Sequence, residues 1–177
     1  MTARVTLRPL ARRDLDLLHR WMNAPHLVPF YMHGPISGDA VEEKFTPRLD
    51  PGHAVRCVIA EADGQAYGYL QWYHNRDHPD WGVDTIGQPD GISIDYYIGD
   101  PGYLGRGLGA PMLEALVMEV LPRLAPRDRT AFIGHDRTNH RAIRCTERAG
   151  FKGVGAFQDG AKPSLLFRRG RTAVAEV

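Results

Sequence analysis

Residues 91–116, GISIDYYIGDPGYLGRGLGAPMLEAL, place a strand, a glycine-rich turn and a helix start in immediate succession. Ile92, Ile94 and Tyr96 alternate with Ser93, Asp95 and Tyr97, the period-two pattern of a half-buried strand that carries an acid on one face. Gly102, Gly105, Gly107 and Gly109 follow, where the backbone can turn tightly and approach a ligand without interference from a Cβ. Leu108, Met112, Ala115 and Leu116 then recur at helical spacing, so a helix begins under the glycines. The first N–H groups of a helix lack intrahelical partners, and together with the helix dipole they favour a phosphate at that end. The loop therefore has two readings, an anion cradle or a plain glycine-rich turn. Neither the GxGxxG order of a dinucleotide-binding turn nor the Lys-Ser/Thr pair of a phosphate loop is present.

On either side the chain alternates short strands and helices. Val5, Leu7 and Leu10 open a strand, and Leu15, Leu18, Trp21 and Met22 share one face of a helix that should stop before Pro25. The segment NAPHLVPFYMHGPIS carries three prolines, two histidines and two aromatics, the composition of a constrained loop. Phe30 and Tyr31 in it offer flat apolar faces, either to the core or to a ring of a substrate. A second short helix is expected over 39–48, capped by Ser37 or Asp39. VRCVIAE and QAYGYLQWY, joined through Asp63-Gly64, read as a hairpin. Residues 74–90 read as a long polar loop with Trp81 inside it, and a loop of that length in a compact domain is usually functional. After the glycines a helix should run to about Val120, with Pro122 and Pro126 bounding a connector. A short strand follows over 130–133, then a helix over 139–149 ending at Gly150, and a hairpin that turns at Asp159-Gly160.

Composition sets the outer bounds. With 177 residues, 43% hydrophobic and 24% charged, the chain suits one globular domain over 1–177 with a short flexible tail from about 170. It has no apolar run long enough to span a bilayer, and MTARVTLRPLARRD lacks the apolar core of a secretory signal, so a cytoplasmic protein is expected. Cys57 and Cys145 have no CxxC spacing and read as reduced thiols, with no metal expected. Basic residues are not interleaved with aromatics, which argues against nucleic-acid binding. The net charge of +1 hides a segregation, because residues 77–100 hold six aspartates and no lysine or arginine. An acidic segment next to a phosphate cradle suits a cationic substrate and an anionic cofactor, although Asp77 and Asp90 are also ordinary turn residues.

The spacing GxGxG over 105–109 before an amphipathic helix resembles the pyrophosphate loop of the GNAT acyltransferases, and the order of elements is similar to theirs over nearly the whole chain. The strings LHRWMNAPHLVPFY, GYLQWY, ISIDYYIGDPGYLGRGLG and NHRAIRCTERAGF look like the aminoglycoside 6'-N-acetyltransferases within that superfamily. Siderophore-type lysine N-acyltransferases, which share the same body, carry a histidine where this chain has Asp95. The resemblance implies an α/β (α+β) fold with a mixed, mostly antiparallel sheet of about seven strands, splayed at its centre and flanked by about four helices. It implies acetyl-CoA as acyl donor, an aminoglycoside as cationic acceptor, no metal, no membrane or nucleic-acid partner, and a monomer or homodimer.

By the same resemblance Asp95 is the general base, and Trp21, Phe30, Tyr31, Asp80, Asp95 and Asp136 face the substrate. Tyr97 and Ile98, Leu104, Gly105, Arg106, Gly107, Leu108 and Gly109, and Asn139 with Ala142 hold the cofactor. Two departures stand out. The family often has a tyrosine where this chain has Thr146, the residue then left at the place of the general acid. A family acid five residues before Asn139 is Gly134 here, with Asp136 as a substitute or simply an acid at a helix N-terminus. Alternatives to aminoglycoside acetylation are another amine acceptor, such as a siderophore precursor, a polyamine or a protein N-terminus, and a non-catalytic acyl-CoA-binding module.

Overall fold

The computed structural model describes residues 3–30 and 35–170. The strands are β1 (Val5–Pro9), β2 (Arg56–Ala62), β3 (Gln65–His74), β4 (Ile92–Ile98), β5 (Thr130–Asp136), β6 (Lys152–Asp159) and β7 (Lys162–Gly170). The helices are α1 (Leu15–Met22), α2 (Gly38–Phe45), α3 (Gly109–Ala115), α4 (Leu121–Leu124) and α5 (His140–Arg148). The strands form one mixed sheet of seven in the order β1-β2-β3-β4-β5-β7-β6. β1/β2, β5/β7 and β6/β7 pair antiparallel, while β4 and β5 run parallel with Ile92 opposite Ala131 and Ser93 opposite Phe132, at the start of both strands. Among the described residues no helix is long and apolar enough to cross a membrane.

The chain divides into two compact units, 1–71 with 96–108, and 72–95 with 109–177. In the first, α1 buries Leu15, Leu18, Trp21 and Met22, the four residues at helical spacing in the sequence. Ser37, rather than Asp39, caps α2 by accepting a hydrogen bond from the Ala40 amide at 3.2 Å. Asp63 and Gly64 both take positive φ, as a two-residue hairpin turn requires. Arg8 grips buried Asp14 through two nitrogens at 2.7 and 2.8 Å, and its Nε meets Glu61 at 2.6 Å. Burial pushes the Asp14 carboxyl up, but the hydrogen bonds from Arg8 and the Ala11 amide prevail and hold it below its ordinary range.

The second unit departs from the sequence reading in three places. The helix that starts at Gly109 does not stop at Val120: a π-turn over Leu116–Val120 carries it into α4, so Pro122 lies inside a helix. A widened turn accommodates a residue that cannot donate an N–H, which is why proline is tolerated there. β5 extends to Asp136, which places that acid at a strand end rather than at a helix N-terminus. His74 belongs to β3, and the loop that follows it is wound into a 3-10 turn at Asn75–Asp77 and a π-turn at Asp80–Thr85.

Candidate active site

The glycine loop is shaped by its backbone. Asp100 accepts a hydrogen bond from the Gly102 amide at 2.8 Å, which opens the turn Pro101–Tyr103. Gly105 and Gly107 follow at φ +74° and +77°, and a Cβ at either would meet nothing within 4 Å. These positions need glycine for their conformation and leave the loop surface open, as an approaching anion requires. Beneath the loop, fully buried Tyr67 donates its phenol proton to the Leu108 carbonyl at 3.2 Å, and its ring stacks on Tyr103 at 5.3 Å. The Arg106 guanidinium lies over the Tyr103 ring at 5.0 Å, so its charge is held against the loop. Leu104 is half-buried, Leu108 is buried, and Gly109 begins α3.

In the same unit, Tyr97 is buried and Ile98 half-buried, and His26 Nε2 donates to the Ile98 carbonyl at 2.8 Å. Trp21, expected to face substrate, is only 5% exposed: its ring meets Tyr97 edge-on at 6.4 Å, and a Cβ at Gly99 would collide with its indole. The pattern that puts Trp21 on the apolar face of α1 also sends it under the end of β4. Phe30 is 41% exposed and remains available to a ligand, whereas Tyr31 lies outside the described residues.

The second unit carries the acids. Asp95 is half-buried on β4, and exposed Asp80 opens the π-turn that the Thr85 hydroxyl closes on the Asp80 carbonyl at 2.7 Å. Trp81 Nε1 donates to Ser93 Oγ at 2.7 Å, Ser93 donates to Asn75 Oδ1 at 2.7 Å, and Asn75 Nδ2 donates to the Gln88 carbonyl at 2.7 Å. Ser93 is therefore buried despite its polar side chain, and the first three residues of β4 are covered on both faces. Sequence reading missed Asn75 and Ser93, which carry no motif and become partners only once the loop folds back. His74 has one ring nitrogen engaged, with Nδ1 at 3.0 Å from buried Asp128, which Arg76 also contacts at 3.2 Å.

On α5, Asn139 Oδ1 caps the helix by accepting from the Ala142 amide at 3.2 Å, so the two expected cofactor residues are brought together. The carboxamide oxygen is committed to the cap, which leaves the NH2 group for a ligand. Thr146 is fully buried and its hydroxyl meets His135 Nε2 at 2.7 Å, so it packs α5 against β5 rather than opening to solvent. Burial pushes the His135 imidazole down to about 4, which leaves the ring neutral at ordinary pH. Asp136 accepts from both the amide and the hydroxyl of Thr138, at 2.8 and 2.7 Å, and these bonds hold its carboxyl below the usual range. It is a turn former, which corrects the expectation of a helix N-terminal acid.

Gly134 has no room for an acid. A Cβ there would lie 2.8 Å from the Phe157 ring and 3.3 Å from the Trp81 indole. Those two rings meet edge to face at 5.5 Å, and Phe157 continues into a cleft of about 610 Å³ lined also by Arg137, Gln158 and Ser164.

Comparison with known proteins identifies the family. A family model described as an acetyltransferase (GNAT) domain matches residues 11–159. The aminoglycoside N(6')-acetyltransferase type 1 of Klebsiella pneumoniae is 31% identical over 172 residues, covering 96% of this chain and 84% of the relative. The same values hold for the protein of that name from Serratia marcescens. Among solved structures, aminoglycoside acetyltransferase AAC(6')-Ib in complex with coenzyme A superposes with a TM-score of 0.78 at 28% identity, covering 95% of both chains. Its complex with coenzyme A and kanamycin gives 0.77, with the same identity and coverage.

Proposed function

The chain belongs to the GNAT acetyltransferases, and from that premise we propose that it moves the acetyl group of acetyl-CoA to the 6'-amine of an aminoglycoside, with Asp95 as general base. The observation that carries this reading is the placement of two acids, Asp80 and Asp95, on a loop and a strand tied together by Trp81 and Ser93. The likeness to aminoglycoside N(6')-acetyltransferases over 96% of the chain supports it. It is a single domain on this reading, working in the cytoplasm, where Cys57 and Cys145 stay reduced.

A protonated amine cannot attack a thioester, so the site must attract an ammonium ion and then remove a proton from it. Asp80 supplies attraction from an exposed loop and Asp95 accepts the proton. A carboxylate beside an ammonium raises the amine's pKa, so Asp95 acts through its position, directly or across one water, rather than through matched acidity. Acetyl-CoA, when bound, supplies an activated acetyl group. The amides of Gly105, Arg106, Gly107, Leu108 and Gly109 hold its pyrophosphate with help from the Arg106 charge, and Leu104 borders them. The Asn139 NH2, beside Ala142, contacts the pantetheine arm. A backbone N–H near Tyr97 or Ile98 steadies the oxygen that gains charge during attack. Holding amine and carbonyl in line contributes up to about 7–11 kcal/mol. Thr146 is committed to His135, and a thiol pKa of about 8.5 lets the thiolate leave without a dedicated acid at neutral pH. Phe30 and Tyr31 offer apolar faces to sugar rings, and Asp136 borders the acceptor side as a third carboxylate.

One observation favours a second reading. The aromatic wall at Gly134 and Arg137 in the adjoining cleft suit an amine with fewer positive charges than an aminoglycoside. The test is acetyl-CoA turnover with kanamycin-type acceptors bearing a free 6'-amine, beside analogues with a 6'-hydroxyl, for wild type and Asp95→Ala. Turnover restricted to the amine and greatly reduced by the substitution is expected. Equal, slow release of CoA with every acceptor overturns the aminoglycoside assignment.

A further inference from the structure

We propose that Asn75, Ser93 and Trp81 form a positioning network that fixes the Asp80 loop at a set distance from Asp95 and thereby governs affinity for the acceptor, a proposal that rests on the role given above to Asp80. Asn75 is fully buried and Ser93 is 2% exposed. Polar groups so deeply buried are costly unless bonded, and here each link is made: indole N–H to hydroxyl, hydroxyl to carboxamide oxygen, carboxamide N–H to backbone carbonyl. Asn75 also closes the loop on itself. Its backbone amide donates to the Gly91 carbonyl at 3.0 Å while its side chain holds Gln88, so one residue gathers both ends of the segment 75–91.

The π-turn that bears Asp80 sits directly on this residue. A Cβ at Gly82 would lie 2.7 Å from the Asn75 carbonyl oxygen and 2.8 Å from its Cβ, so only glycine lets the turn approach so closely. Gly91 is equally confined, at φ +101° with a Cβ position 2.8 Å from the Thr130 carbonyl oxygen. On the far side, the Trp81 ring is stopped by Phe157 at 5.5 Å. Ser93 and Asp95 are two residues apart on β4 and so project from the same face of the strand, about 7 Å apart along it. The bond from Trp81 to Ser93 thus registers the loop against the strand position next to the base on that face. Apolar packing would resist sliding poorly when a cation pulls on Asp80. Hydrogen bonds are directional and hold the register.

The test measures KM for kanamycin, KM for acetyl-CoA and kcat in Ser93→Ala, Trp81→Phe, Asn75→Ala, Asp80→Asn and the double variant Asp80→Asn/Ser93→Ala. Trp81→Phe, which loses one buried hydrogen bond, is expected to raise the kanamycin KM about tenfold, and Ser93→Ala, which loses two, at least as much, with the acetyl-CoA KM within about twofold in both. The effect of Ser93→Ala should vanish in the Asp80→Asn background, because both act through one carboxylate. Asn75→Ala carries the greatest risk to folding, and Trp81→Phe, which keeps the Ser93–Asn75 pair, makes the test without it. If Asp80→Asn raises the kanamycin KM while Ser93→Ala and Trp81→Phe leave it at the wild-type value, the network proposal is overturned and the role of Asp80 stands. If Ser93→Ala raises KM equally in both backgrounds, the network does not act through Asp80 and the proposal is overturned. An unchanged KM in Asp80→Asn overturns the role of Asp80 and the proposal with it.

Discussion

The glycine loop after β4 and the acidic loop before it take their shapes by opposite means. The first takes its shape from backbone conformation: Gly105 and Gly107 at positive φ, open space above them, and a flat footing of Tyr67 and Tyr103. The second takes its shape from side chains, through the buried chain of bonds from Trp81 to Ser93 to Asn75. An anion meets backbone amides and needs only that the loop be bent correctly. An ammonium meets a carboxylate, and the position of a carboxylate depends on everything that holds the segment carrying it.

The largest test of that contrast is at Asp95. If the acceptor side works through one placed carboxylate, Asp95→Asn removes the proton acceptor at nearly constant shape and should lower kcat about 10²–10⁴-fold, with acetyl-CoA affinity close to wild type. Steady-state kinetics beside a direct acetyl-CoA binding measurement checks it. A fall of less than tenfold in kcat would mean that another group, or water alone, takes the proton.

The same contrast explains what the sequence made legible. The glycines, the Asp63-Gly64 turn and the C-terminal cap at Gly150 were readable because positive φ selects residue type locally. So were α1 and the alternation in β4, since periodicity is local too. The network at Asn75 was not, since its members lie in three separated stretches and none is unusual alone. The burial of Trp21 was hidden for a related reason: an aromatic on the apolar face of a helix reads the same whether it meets a pocket or a core. The extension of the helix through Pro122 needed the π-turn, whose widened hydrogen bonding leaves no compositional mark. Thr146 stands in the sequence where the family often has a tyrosine, and its buried bond to His135 became visible only when β5 and α5 packed.

If buried polar groups shape the second unit, that unit should lose stability as the pH falls. His135 is neutral when folded down to about pH 4, whereas an ordinary imidazole protonates near 6.5. Between those values the unfolded chain binds more protons than the folded one, so stability rises with pH across that window. The contribution is complete above about pH 6.5 and declines as pH falls toward 4, by at most about 3 kcal/mol. Thermal melts from pH 7.5 to 4 should show this decline, and His135→Asn should flatten it. Melts whose slope is the same in that variant would assign the acid sensitivity to other groups.

A smaller effect is expected on the other side of the comparison. Gly107→Ala introduces no clash, since nothing lies within 4 Å of the new Cβ, and costs only the left-handed conformation, about 1–2 kcal/mol. Because the strain falls on a loop shaped by its backbone, it should appear as a rise of about tenfold in the acetyl-CoA KM with the kanamycin KM unchanged. Gly107→Asn should do less harm, as asparagine enters that region more readily. Equal losses for alanine and asparagine would point to a side-chain obstruction instead of a backbone demand.

Tyr67→Phe is the mildest probe and asks whether the footing matters once the glycines are in place. The ring that stacks on Tyr103 survives, and the hydrogen bond to the Leu108 carbonyl is lost. That carbonyl stands where the loop passes into α3, so its release should loosen the entry to the helix rather than the core. A loss of about 1 kcal/mol in stability follows from one neutral hydrogen bond, with a rise of no more than about threefold in the acetyl-CoA KM. Chemical denaturation and steady-state kinetics on the same preparation separate the two. If KM climbs as far as in Gly107→Ala, the phenol shapes the cradle as much as the glycines do, and the division between a backbone-built loop and a side-chain-built one no longer holds.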